Sequence, residues 1–227
     1  MSKENFHCDL SQLYGEFNDA LLRKDKQGAV DVIIDYLKSG DVCLERLYTD
    51  VFSSCLQGIA SNHKTQKIPI WEEHFRTQVV RTCVELCYPC AVKQGEAKGL
   101  HGSAVSFCLE GEYHELGARI VTDFLISLGV DANFIGANTP RKEALDAVLA
   151  FRPNLVCISV TNYYHLHKLR DFIADVKEAC LMQGVIPPIF VVGGYGVKYS
   201  SQVKDQILAD YYIFSLKELK KVKENVL

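Results

Sequence analysis

Near residue 102 the chain changes texture, and the change divides it into two kinds of fold. Residues 10–92 place apolar side chains at helical spacing only. Leu10, Leu13, Tyr14, Phe17 and Leu21 make one stripe, and Val30, Ile33, Ile34 and Leu37 a second that stops at Ser39-Gly40, a helix-ending pair. Leu44, Leu47, Tyr48, Val51, Phe52, Cys55, Leu56 and Ile59 repeat the i, i+3, i+4, i+7 pattern. After a polar stretch over 61–67 the spacing predicts a fourth helix over 70–87. Residues 1–92 are therefore expected to form a four-helix bundle.

Beyond it, short apolar runs alternate with amphipathic helices. The runs 105–109, 132–135, 155–160, 189–192 and 211–214 read as strands. Helices between them are marked by Leu116, Ile120, Val121, Phe124 and Leu128, by Ala144, Leu145 and Val148, and by Leu166, Leu169, Ile173 and Val176. The last helix carries charge over 217–224. Strands that are apolar almost throughout belong in a parallel sheet covered on both faces. The expected class is α/β: residues 103–227 form a flavodoxin-like or Rossmann-like five-stranded sheet of order 2-1-3-4-5, with 93–102 as the linker. A ligand of such a sheet sits at the carboxyl ends of its strands.

Composition removes several classes of function. With 48% hydrophobic and 23% charged residues the chain is an ordinary packed protein, not a disordered one. Lys plus Arg number 25 against 28 Asp plus Glu, a net charge of −3, and no window is densely basic, which disfavours direct DNA binding. No membrane-spanning apolar run occurs, and the beginning Met-Ser-Lys-Glu-Asn-Phe-His lacks the features of a signal peptide, so a cytoplasmic location is expected. Most of the nine cysteines lie in apolar runs, including Cys55, Cys83, Cys108 and Cys157, and read as buried free thiols. Cys87-Tyr-Pro-Cys90 has no second ligand pair with which to complete a zinc site.

The residues able to carry chemistry cluster at the strand ends. The first strand is followed by Glu112-Tyr113-His114-Glu115-Leu116-Gly117, an imidazole with a carboxylate two residues before it. Such a histidine can bind a transition metal through one nitrogen while the acid holds the other. From spacing alone it reads rather as a solvated surface residue. The second strand ends in Gly136-Ala137-Asn138-Thr139-Pro140, the third in Ser159-Val160-Thr161 and the fourth in Gly193-Gly194-Tyr195-Gly196. Each is ordinary turn chemistry by itself, with Thr139-Pro140 a plausible helix start. Together they open a slot that a large polar ligand can enter.

At these positions the chain resembles the cobalamin-binding domain family. The family's D-x-H-x-x-G, S-x-L or S-x-T, and G-G motifs are matched by Glu112-x-His114-x-x-Gly117, Ser159-x-Thr161 and Gly193-Gly194, with Glu in the Asp position. The resemblance implies that His114 replaces the cofactor's own base as the lower cobalt ligand, that Glu112 polarises it, and that the displaced nucleotide tail runs beside the Ser and Gly-Gly positions. In the helical half, Trp71-Glu72-Glu73-His74-Phe75-Arg76-Thr77 is similar to the E-E-H-F-x-T signature of the bundle that caps the corrin in cobalamin-dependent photoreceptor regulators. Those regulators carry a Trp ten positions before the second Glu. Here that position is His63. The upper face is therefore expected to involve His63, Glu73 and His74, with His63 and His74 as candidate upper ligands, or else Trp71 closing the cavity.

The resemblance implies a cobalamin-binding sensor or regulator, not an enzyme. It would act through a protein partner or self-association, because too few residues precede the bundle for a DNA-binding module, and its adenosyl, methyl or hydroxo form is open. The alternatives are a corrinoid shuttle protein of a methyltransferase system, a cobalamin storage protein, and a haem-binding sensor using the same His-rich cleft.

Overall fold

A computed structural model of the chain describes residues 10–40, 42–64, 68–198 and 207–227. They fall into two compact units, Met1–Cys90 and Ala91–Leu227.

In the first unit, helices Leu10–Leu22 and Lys26–Lys38 follow one another across a short turn and pack together. The second is capped by Asp25, whose carboxylate accepts the Gly28 N–H at 2.8 Å, and ends where Gly40 takes φ 85°. The third helix is irregular, with a turn over Leu44–Arg46, a π-helical stretch over Leu47–Ser53 and an α-helix over Ser54–Lys64. Its widened turn still buries Leu47, Tyr48, Val51 and Phe52, and Phe52 meets Phe17 with ring centroids 5.7 Å apart. The fourth helix, Ile70–Glu96, passes through Pro89 and continues into the stretch expected to be linker. Proline costs one backbone hydrogen bond there. Val84 and Cys87 before the proline and Ala91 after it are all buried.

The second unit is built on a parallel sheet of strands β1 (Ser103–Leu109), β2 (Asp131–Thr139), β3 (Leu155–Ser159), β4 (Ile189–Gly193) and β5 (Tyr211–Ile213), in the order β2-β1-β3-β4-β5, as expected. β1 and β3 are buried almost end to end because helices cover both faces. On one face Phe172 meets Phe107 and Phe190 edge-on, with centroids 5.6 and 6.4 Å apart. Burying each such ring contributes about 1.5–3 kcal/mol. On the other face the hydroxyls of Ser106 and Thr122 hydrogen-bond to one another inside the core.

β2 runs further than its apolar stretch. Gly136 takes φ 145° and Asn138 φ 49°, so the backbone bulges with two shifts of register against β1 and stays in the sheet as far as Thr139. The next helix, Arg141–Phe151, accordingly starts from Pro140, while the Thr139 hydroxyl donates back to Gly136 O at 3.4 Å instead of capping it.

Candidate functional site

The order of the strands puts the topological switch between β1 and β3, and the loops beyond the carboxyl ends of these two strands meet at the carboxylate of Glu112. This side chain is 1% exposed. Its Oε1 lies 2.5 Å from His114 Nδ1 and accepts the His114 backbone N–H at 3.1 Å. Its Oε2 accepts the backbone N–H groups of Thr161 and Asn162, each at 2.9 Å. Burial pushes the Glu112 pKa up, but the hydrogen bonds from the His114 side chain and the N–H groups of Asn162, His114 and Thr161 outweigh it and bring it down to about 2. The group is therefore a fixed negative charge at neutral pH.

That charge decides what His114 can do. A carboxylate at Nδ1 favours the tautomer with the proton there, so a metal meets Nε2. The imidazole is held at its inner nitrogen yet its side chain is 62% exposed.

The surrounding loops are tied to the same centre. Asn138 donates its N–H to Glu112 O at 2.8 Å, and its side-chain oxygen accepts the Gly111 N–H at 2.8 Å. The third and fourth strand ends interlock, with Val160 N–H donating to Gly193 O and Gly196 N–H to Val160 O, both at 2.9 Å. Gly194 takes φ 104°, and a Cβ there would lie 2.4 Å from Val160 O. A Cβ on Gly117 would lie 3.1 Å from Ser159 Oγ, where the helix Leu116–Ser127 starts close against the end of β3. Leu116 is buried in that helix, Glu115 precedes it, Ala137 is half-buried on β2, and Tyr113 and Tyr195 are exposed at the edge.

Asn162 is the member of this constellation that sequence reasoning missed. Its backbone N–H holds Glu112, and its side-chain oxygen caps the turn Tyr163–His165 by accepting the Tyr164 N–H at 3.1 Å. An Asn just after a strand is a capping signal, and that was the available clue.

In the first unit, Trp71 is 58% exposed with Lys24 Nζ 5.7 Å from its ring centroid, His74 is exposed and Glu73 half-buried. Glu72 accepts from the buried Arg76 and lies 3.8 Å from Lys24 Nζ. The side chain of His63 lies outside the described residues.

Among the described residues no group of three or more His, Cys, Asp or Glu is placed to hold a metal ion. A metal held at His114 would take one nitrogen from the chain there and its remaining ligands from its own carrier. A metal carried in a macrocycle fits that donor set, and imidazole suits cobalt. Cys55, Cys83, Cys108 and Cys157 have thiols pushed up to about 12 by burial, which keeps them protonated at neutral pH.

Comparison with known proteins identifies the macrocycle. Residues 102–219 match the B12 binding domain. The chain is 26% identical over 149 residues to the HTH-type transcriptional repressor CarH of Myxococcus xanthus, covering 65% of this chain and 47% of that protein. It is 29% identical over 134 residues to dimethylamine corrinoid protein 2 of Methanosarcina mazei, covering 59% of this chain and 60% of that protein. Both alignments thus span less than two thirds of the relative. The fold is similar to that of the Methanosarcina barkeri monomethylamine corrinoid protein, with a TM-score of 0.79 at 19% identity, covering 96% of this chain and 99% of that one. The chain belongs to the B12 binding domain family, and its cofactor is cobalamin.

Proposed function

We propose that the chain holds cobalamin base-off, with His114 as the lower axial ligand, and serves as a sensor or regulator that acts through a protein partner or a second copy of itself. The observation that carries this reading is the Glu112–His114 pair, in which a buried carboxylate with four hydrogen bonds orients an exposed imidazole. Cobalamin supplies a cobalt centre whose upper ligand can be exchanged or transferred. Glu112 fixes the tautomer and raises the basicity of His114. Ser159, Val160, Thr161, Gly193 and Gly194 line the edge that receives the nucleotide tail, and Ala137, Asn138 and Thr139 close its other side. In the helical unit we assign the upper ligand's side to His63, Glu73 and His74, with Trp71 as the competing lid. The similarity to a repressor supports a regulatory output, and the net charge of −3 supports one that does not pass through direct DNA contact.

The similarity to dimethylamine corrinoid proteins favours a second reading, in which the same site carries a methyl group between partner methyltransferases and the chain contributes no catalyst of its own. Both readings suit a protein that works in the cytoplasm, and no helix among the described residues is long and apolar enough to cross a membrane.

Absorption spectra and sedimentation of the protein with methyl-, adenosyl- and hydroxocobalamin, in the dark and after light, test the choice. A sensor changes its association state when the upper ligand is lost or exchanged. A shuttle keeps one state throughout and passes its methyl group to an added methyltransferase and thiol acceptor.

A further inference from the structure

Two large aromatic side chains stand exposed beside the lower-ligand site. Tyr163 and Tyr164 are 56% and 64% exposed, with ring centroids 3.9 Å apart and planes inclined by 36°. Other rings of this unit, Tyr113, Phe151, Tyr195 and Phe214, are exposed too, but Tyr163 and Tyr164 are the exposed pair stacked on one another. The backbone of the tyrosine turn is held from two sides. Asn162 accepts the Tyr164 N–H through its side chain, and the N–H groups of Thr161 and Asn162 are held by Glu112 Oε2. Gly196, in the short helix Tyr195–Lys198 after β4, closes on the same turn so tightly that a Cβ there would lie 3.1 Å from Tyr163 N. One carboxylate therefore positions both His114, through Oε1, and the backbone that leads into the two rings, through Oε2.

We propose that Tyr163 and Tyr164 are positioning residues for the cofactor, an aromatic ledge that packs against the lower face or rim of the corrin bound at His114. This rests on the reading of His114 as lower ligand and adds residues to it that no motif marks. A flat macrocycle held at His114 Nε2 extends well beyond the imidazole, and it needs apolar partners that are already in place. A pre-ordered aromatic pair gives contact area at little entropic cost. The rings and not the hydroxyls do this work, so phenylalanine substitutes for tyrosine at both positions.

The test is an absorption titration of the full chain with hydroxocobalamin. Y163A/Y164A binds about tenfold more weakly than the parent, from the loss of two aromatic contacts, yet at saturation gives the same histidine-bound spectrum. Y163F/Y164F binds within about twofold of the parent, on the same reasoning. Far-UV circular dichroism and the urea midpoint check that the variants are folded. If the double alanine variant is not, Y163A and Y164A are titrated singly and each binds about threefold more weakly. Parent-like affinity in the folded alanine variants overturns the proposal, as does a loss in the phenylalanine pair equal to that in the alanine pair. Failure of the lower-ligand reading has a different signature, a His114→Ala spectrum identical to the parent's.

Discussion

Glu112 and His114 are two residues apart in sequence and joined Oε1 to Nδ1 at 2.5 Å, while the other oxygen of the same carboxylate takes backbone N–H groups 49 and 50 residues further on. The loops after β1 and β3 are in this way pinned to one charge. Losing that charge affects the orientation of His114 and the stability of the sheet edge together.

Glu112→Gln is therefore expected to weaken cobalamin binding by about 10–100-fold, the usual cost of removing the partner of a ligating histidine. The amide cannot accept from all three neighbours and turns a donor toward donors. The lowered pKa also sets a pH dependence. A carboxyl at about 2 in the fold and 4.5 outside it contributes stability above pH 4.5, and that contribution is lost as pH falls toward 2. The shift corresponds to roughly 3 kcal/mol at most. Urea midpoints measured from pH 6 to pH 2 should show the gap between parent and variant closing over that window.

Gly194→Ala should destabilise the protein by about 2–4 kcal/mol, because the residue holds a positive φ and its added Cβ meets the Val160 carbonyl, which is backbone and cannot swing aside. Gly117→Ala should cost under about 1 kcal/mol, since its nearest neighbour is a hydroxyl that can rotate. Chemical denaturation of the two variants measures both. Equal costs at the two positions would show that the strand-end crossing at Gly194 is looser than described.

Much of this was legible in the chain. β1 and β3 announce themselves because burial on both faces leaves no polar alternation, and with helices between them the sheet order follows. The site was half legible. Glu112 and His114 stand two apart in a loop, but what anchors Glu112 is backbone N–H at 161 and 162, and a backbone group leaves no residue type to read. The bulged end of β2 was hidden because Gly136 and Asn138 are turn formers that here bend a strand without ending it. The π-helical stretch Leu47–Ser53 was hidden for a related reason, since its apolar residues satisfy the ordinary helical spacing too. Pro89 reads as a stop, and packing of its neighbours overrides it.

Thiol labelling should follow burial. Cys43 is exposed and should react with an alkylating reagent in the native protein at pH 8, while Cys55, Cys83, Cys108 and Cys157, with thiols near 12, react only on unfolding. Mass spectrometry after timed quenching separates them. Rapid native labelling of Cys108, which lies beneath the His114 loop with its thiol 3.6 Å from His114 O, would mean that this loop opens.

No strong preference for adenosylcobalamin over hydroxocobalamin is expected, because the resemblance puts His63 where a Trp would cover the adenosyl group, and Trp71 is exposed with Lys24 Nζ 5.7 Å from its ring centroid. A histidine has less apolar area to cover an adenine and offers cobalt a nitrogen. Affinities of the parent, His63→Ala and Trp71→Ala for both cofactors decide it. A tenfold preference for the adenosyl form that only the Trp71 change removes would assign the lid to Trp71.

Ligation by His114 is tested most directly by the absorption spectrum of hydroxocobalamin bound to the parent and to His114→Ala. The parent should give a histidine-bound, base-off spectrum, and the variant should lose it together with at least tenfold in affinity. An unchanged spectrum and affinity in His114→Ala would contradict the account.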